Sequence, residues 1–342
     1  MIQENFSLKA HNTFGVDVSA KYFAEASSEG ELLEVLQEFK QRNAGGSLPM
    51  MILGGGSNIL FTKDFEGLVL KLHLLGISEE MINDEEVLVT AKSSENWHNF
   101  VMHCVGKNIG GLENLALIPG NVGTSPMQNI GAYGVEIKDV FHSCKALNLE
   151  TLEIEKFDKA RCQFGYRDSF FKNEGKGKYI ILEVTFKLKT KNHEIHAGYA
   201  ALHSELERRK IEHPTIQDIA EIVITIRESK LPDPSEIGNA GSFFKNPIIS
   251  QENFEILKHQ HPEIPAYGDG ENIKVPAAFL IEKAGWKGRQ IGNVATHEKQ
   301  ALVIVNKTGA ATGKEIFEFS RQIIEDVEKQ FGVRLEREVN IY

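Results

Sequence analysis

Apolar residues recur at helical spacing over 28–42, where Leu32, Val35, Leu36 and Phe39 form one stripe behind Ser28 and Glu31. That serine–glutamate spacing is a capping box, in which each side chain takes up a backbone N–H left unpaired at the helix start. Trp97, Phe100, Val101, Cys104 and Val105 repeat the spacing over 94–106. A helix opened by Thr215 and Asp218 turns Ile219, Ile222, Val223 and Ile226 inward and ends near Lys230. Further helices are predicted at 276–284 and 312–331. The second has a Thr312/Glu315 capping box, an Ile316, Phe319, Ile323, Val327 face and Gly332 where a C-cap glycine belongs. Short buried or alternating runs predict strands at 49–53, 67–72, 86–91, 139–149, 178–188 and 301–306. A closing strand at 333–341 places Val333, Leu335, Val339 and Ile341 on one face and Glu336 and Glu338 on the other. Strands mixed with helices give an α+β or α/β class. Leu231-Pro-Asp-Pro234 breaks the pattern and marks the main domain boundary.

Two glycine-rich runs interrupt this pattern: Leu53-Gly-Gly-Gly-Ser-Asn-Ile59 and Ile118 to Gly134 (IPGNVGTSPMQNIGAYG). Glycine lets a chain turn tightly and lets its amides approach a ligand. Successive free amides form an anion-binding nest, whose natural guest is a phosphate or pyrophosphate. The first run is neither a Rossmann fingerprint, since Ile59 stands at the third glycine position, nor a P-loop, since no Gly-Lys-Ser/Thr follows. The second is expected to be a structureless loop of functional length, with Thr124, Ser125, Gln128 and Asn129 adding side-chain donors. Two cradles on one chain imply a ligand with a long anionic middle. Taken alone, the first run is equally well read as an ordinary turn.

Composition narrows the classes. The 342 residues suffice for two or three domains, and 41% hydrophobic with 25% charged residues is ordinary for a soluble protein. A net charge of -10 argues against general nucleic-acid binding. Cys104, Cys144 and Cys162 are widely spaced and predict neither a disulfide framework nor structural zinc. The histidines offer no spaced metal set. No basic-then-apolar leader and no long apolar run is present, so the expectation is a cytoplasmic protein with no membrane span.

Three segments carry candidate chemistry. In Phe164-Gly-Tyr-Arg-Asp-Ser-Phe-Phe171, Arg167 sits among aromatics and suits a carboxylate or phosphate. On the segment alone, a surface Arg167–Asp168 pair is the stronger reading. In Asn239-Ala-Gly-Ser-Phe-Phe-Lys-Asn-Pro247, Ser242 lacks the elbow of a hydrolase nucleophile, and a turn serine is the commoner case. Arg227, Lys230 and Lys245 could form a local basic patch beside it. On pattern alone, Glu338 on the closing strand is better read as part of a solvated polar face, since a catalytic carboxylate needs a partly buried setting.

Taken together, LGGGSN, IPGNVGTSPMQNIGAYG, FGYRDSFFK, LPDPSEIGNAGSFFKNP and the C-terminal LEREV resemble the UDP-N-acetylenolpyruvoylglucosamine reductase family, in family order and over nearly the whole chain. Tyr199 and the Gly-Ser-Phe-Phe-Lys-Asn-Pro segment resemble the first of its two types. The resemblance implies an α+β fold: a two-subdomain FAD-binding unit of the vanillyl-alcohol-oxidase (PCMH) type, at 1–75 and 76–230, and a substrate-binding domain at 231–342. It implies non-covalent FAD on Gly54, Gly55, Gly56, Ser57, Asn58, Ile59, Pro119, Gly120, Gly123, Thr124, Ser125, Gln128, Ala132 and Gly134. It makes Arg167, Ser242 and Glu338 catalytic, and Tyr199, Arg227, Lys230, Asn246 and Gln300 substrate-binding. NADPH is the implied reductant and UDP-N-acetylglucosamine enolpyruvate the implied substrate, in peptidoglycan precursor synthesis. A monomer without metal is expected. The chain has Asn121 where the family often has cysteine, Arg337 where it often has proline, and HAGYAAL around Tyr199 in place of Tyr-Gly-Asp. Two alternatives remain open: a flavin oxidase or dehydrogenase with another substrate, and a non-catalytic nucleotide-sugar binder. Oxidases of this kind often tether flavin through histidine, and neither glycine run contains one.

Overall fold

Capping and turn residues set the element boundaries in the computed structural model, which describes residues 1–267 and 272–342. Ser28 accepts from the Glu31 amide at 3.1 Å and starts the helix Glu29–Arg42. The Glu31 carboxylate returns to the Ser27 amide at 2.8 Å, one residue earlier than the expected box. Asn96 caps Trp97–Gly106 in the same way. Thr312 and Glu315 form the expected reciprocal box on Gly313–Phe331, which Gly332 ends in the left-handed conformation. The chain divides into two units, Met1–Phe6 with Ala20–Gly55 and Glu66–Ser229, and Ser7–Ser19 with Gly56–Phe65 and Lys230–Tyr342.

The first unit holds two sheets. In one, the spatial order is Gln3–Ser7, Ser19–Ala26, Phe65–Leu72, Met50–Leu53. Met50–Leu53 runs parallel to Phe65–Leu72. The stripe of Leu32, Val35, Leu36 and Phe39 packs in one core with Leu68 and Leu70. The other sheet orders Ile154–Asp158, Phe141–Asn148, Tyr179–Lys189, Glu86–Lys92 and Ile77–Met81, antiparallel throughout. Its core takes in Trp97, Phe100 and the inward face of Ile216–Lys230. The Trp97 indole N–H donates to the Leu115 carbonyl at 2.9 Å, so this large side chain is buried without an orphaned donor.

The second unit is built on an antiparallel sheet ordered Asn239–Ser242, Val303–Asn306, Val294–Thr296, Gln290–Ile291. The helix Gly313–Phe331 buries Ile316, Phe319, Ile323 and Val327. Trp286 stands edge-on to Phe319 and donates to Asp326 at 3.0 Å.

Two expectations need correction. The second glycine run is not structureless. It holds a 3-10 turn, Val122–Gln128, and a hairpin of Gly131–Ala132 with Val135–Glu136. Asn121 and Thr124 nucleate the turn, since the Thr124 hydroxyl donates to the Asn121 carbonyl at 2.8 Å. The closing segment is not one strand. Its residues change partners: Lys245 N–H bonds the Glu336 carbonyl at 2.9 Å and Glu338 N–H bonds the Phe243 carbonyl at 2.8 Å. Only Asn340–Ile341 then forms a strand, parallel to Ile59–Leu60. Alternation survives the change of partner, with Val333, Leu335 and Val339 buried.

Candidate functional site

The first glycine run leaves the end of Met50–Leu53. Among the described residues, the amides of Gly54, Gly55, Gly56 and Ser57 make no hydrogen bond. Consecutive unused amides after a strand are the donor set that an anion requires. Gly54 and Gly55 also lie directly against the second run. A Cβ on Gly54 would come 2.7 Å from Thr124 Cγ2, and one on Gly55 3.1 Å from the Gly120 Cα. At Gly56 (φ +66°) a Cβ would overlap the His11 carbonyl, so only glycine fits.

The second run contributes differently. Val122 and Gly123 amides are taken by the Glu95 and Ser93 carbonyls, and Thr124 by Asn121. Ser125 is fully buried and donates to the Val122 carbonyl at 2.7 Å, so its hydroxyl turns inward. Pro119, Thr124 and Gly134 are exposed, while Gly120, Gln128 and Ala132 are half-buried. The first run therefore carries consecutive unbonded amides, and the second packs against Gly54 and Gly55 as a wall. These residues fit a pyrophosphate-bearing group such as FAD. Gly123 tests the wall, because its Cβ would stand 2.9 Å from the Ser93 Cα, a contact with backbone that no side-chain rotation relieves. Gly123→Ala is expected to lower stability by about 1–3 kcal/mol and to yield protein depleted of flavin. Melting temperature and the flavin-to-protein absorbance ratio measure both effects.

Arg167 belongs to the same unit and sits at φ +53°, a left-handed conformation uncommon for a side chain of this size. Its guanidinium donates to the carbonyls of Gly131 at 2.5 Å and Asn129 at 3.5 Å and lies 3.9 Å from Glu136. Gly131 permits this approach: a Cβ there would be 3.1 Å from Arg167 Nη1. The surface-pair reading fails, since Asp168 is engaged by Asn173 at 2.9 and 3.0 Å.

Also in this unit, Tyr199 precedes the helix Ala200–Arg209, and its ring meets Tyr133 edge-on at 5.2 Å. Arg227 donates to the Leu117 carbonyl at 3.2 Å. Burial pushes its pKa down, opposed by the neighbouring Tyr133 phenol. Tyr133, which links the two candidates, carried no sequence signal beyond its place in the second run.

Ser242 and Glu338 lie in the other unit. Ser242 ends the strand Asn239–Ser242, just after Gly241 at φ +66°. Among the described residues its hydroxyl has no hydrogen-bond partner, and the side chain is half-buried. The amide of Glu338 bonds the carbonyl of Phe243, so the two candidates stand on adjacent backbone segments although 95 positions separate Phe243 from Glu338 (338 − 243). Asn58 donates to the Glu338 carbonyl at 3.4 Å, and Ile59 pairs with Asn340. The tail of the first glycine run is thereby fixed beside Glu338.

Of the remaining candidates, Asn246 accepts from the Ala277 amide at 3.0 Å and caps the helix Ala277–Lys283. Gln300 is half-buried beside Val303–Asn306, where its carbonyl accepts from the Val303 amide. Lys230 is exposed at a helix end. Of the expected basic patch, Arg227 donates to the Leu117 carbonyl and Lys245 pairs with Glu336 at 3.2 Å. The cysteines offer no nucleophile. Burial holds Cys104 at about 12, and Cys144 is raised by its hydrogen bond to Cys162 and by burial.

Comparison with known proteins agrees with this donor set. Residues 233–342 match the family model described as UDP-N-acetylenolpyruvoylglucosamine reductase, C-terminal domain, and residues 20–153 match an FAD binding domain. The UDP-N-acetylenolpyruvoylglucosamine reductase of Flavobacterium johnsoniae is 48% identical over 99% of both chains. That of Pseudomonas syringae pv. syringae is 45% identical over 100% of this chain and 99% of its own. The crystal structure of the Thermus caldophilus reductase covers 100% of this chain and 98% of its own, with a TM-score of 0.67 at 20% identity, which establishes the shared fold. The chain belongs to the UDP-N-acetylenolpyruvoylglucosamine reductase family, FAD-binding oxidoreductases of peptidoglycan precursor synthesis.

Proposed function

We propose that the protein catalyses the NADPH-dependent reduction of UDP-N-acetylglucosamine enolpyruvate to UDP-N-acetylmuramate, as a cytoplasmic monomer. Residues 1–75 and 76–230 serve as two FAD-binding subdomains and 231–342 as the substrate domain, with Ser7–Ser19 and Gly56–Phe65 packing with the last. The observation that carries this reading is the pairing of Ser242 with Glu338 on adjacent backbone segments, with Asn58 of the glycine run beside them.

FAD held by the amides of Gly54 to Ser57 would supply hydride chemistry at the C3 carbon of the enol ether. Negative charge then develops at C2 and spreads into the neighbouring carboxylate. Arg167 stabilises that charge with an oriented guanidinium, and Glu338 holds the developing acid through a hydrogen bond. Ser242 donates its hydroxyl proton to C2, which completes a lactyl ether. Its hydroxyl, with no protein partner to give up among the described residues, is available for this transfer. Tyr199, Arg227, Lys230, Asn246 and Gln300 bind the UDP-sugar, and the unused amides of Gly54 to Ser57 hold the cofactor pyrophosphate.

An anaerobic titration tests the reading. NADPH should bleach the flavin absorption, and UDP-N-acetylglucosamine enolpyruvate should restore it. Bleaching without restoration by this sugar would point to a flavin oxidase or dehydrogenase acting on another substrate, and binding without any redox change would point to a non-catalytic protein.

A further inference from the structure

Arg167 is held by Glu136 and Asn129, and the Asn129 side chain, expected as a ligand donor, is instead spent within the protein. Asn129 is fully buried, and its Nδ2 donates both to the Gly165 carbonyl and to Glu136 Oε2, each at 2.9 Å. Its Oδ1 accepts from the Lys138 amide at 3.1 Å. One side chain thus ties the loop bearing Arg167 to the hairpin bearing Glu136. The same Glu136 oxygen takes Lys138 Nζ at 2.7 Å, while the other lies 3.9 Å from Arg167 Nη1. A bidentate arginine–carboxylate pair would close to about 2.8 Å on both oxygens. Here Asn129 and Lys138 hold the carboxylate back from that geometry. Both partners are largely buried, with side-chain exposures of 18% for Arg167 and 20% for Glu136, so their attraction is screened less than that of a surface pair.

We propose that Glu136, fixed by Asn129 and restrained by Lys138, is a positioning residue for Arg167. It orients the guanidinium against the Gly131 and Asn129 carbonyls without pairing with it in a fork. This rests on the functional reading above, in which Arg167 meets the substrate carboxylate. Loss of the Glu136 charge would let the guanidinium drift, and loss of Lys138 would let Glu136 close on it. Both changes misplace the same group.

The test measures the two half-reactions in purified flavin-loaded protein. Glu136→Gln keeps an acceptor for Asn129 and removes the charge. It should leave flavin reduction by NADPH unchanged and slow reoxidation by the enolpyruvyl sugar about tenfold to a hundredfold, the scale of a misplacement near 1 Å. Lys138→Ala, at a more exposed position, should slow the same step and serves if Glu136→Gln fails to fold. In an Arg167→Ala background neither change should slow reoxidation further. Effects that multiply with Arg167→Ala, or that fall equally on both half-reactions, would overturn the positioning role and leave the function standing. Wild-type protein that the sugar fails to reoxidise would overturn the function, and this inference with it.

Discussion

Ser242→Ala should slow flavin reoxidation by the enolpyruvyl sugar about 10²–10⁴-fold, the range for removal of a positioned general acid. Flavin reduction by NADPH should remain near normal, because that step needs no proton at the sugar C2. Stability should hardly change. The Ser242 hydroxyl has no protein hydrogen bond to lose among the described residues, and the strand around it is fixed by backbone pairing with Val303. A truncation of this kind, which orphans no buried partner, stays within about 0.5 kcal/mol. Stopped-flow absorbance of each half-reaction, with a thermal melt as control, measures all three quantities. Equal losses in both half-reactions would remove Ser242 from the proton-donating role.

The helices were legible because their signals are local. Thr312, Glu315 and Gly332 bracket a helix by hydrogen bonds that reach three or four residues, and the structure ends it at Phe331. The free amides of Gly54 to Ser57 were legible for the same reason, since glycine marks its own backbone freedom. What the local pattern missed is non-local. Nothing in the spacing of Ser7–Ser19 or Gly56–Phe65 shows that both fold with the C-terminal part of the chain. Asn246 resembles a polar site residue, and only the fold shows that its Oδ1 also caps a helix that begins 31 positions later. The segment alone pairs Arg167 with Asp168, and only the fold brings it to Gly131 and Glu136. Glu338 sits in a change of partners that period-two alternation smooths over, since its face is set by Phe243 and Asn58 together. Chemistry that depends on a few convergent side chains is therefore harder to read than the frame that holds them.

Arg167→Gly should separate activity from stability. The backbone at φ +53° costs an ordinary side chain roughly 1 kcal/mol, which glycine avoids. Glycine gives up about 0.4–1 kcal/mol through the freer unfolded chain, so the two contributions nearly cancel. The carbonyls of Gly131 and Asn129 lose a donor, but the site is part-buried and water can replace it. The melting temperature should therefore stay close to that of the parent protein. Reoxidation by the enolpyruvyl sugar should fall about 10²–10³-fold, the scale for loss of one preorganised group facing transition-state charge. Arg167→Lys should recover only part of the rate, because a point charge cannot span the Gly131 and Asn129 carbonyls while also facing a carboxylate. A glycine variant that melts normally yet reoxidises at the parent rate would show that this arginine serves the fold and not the reaction.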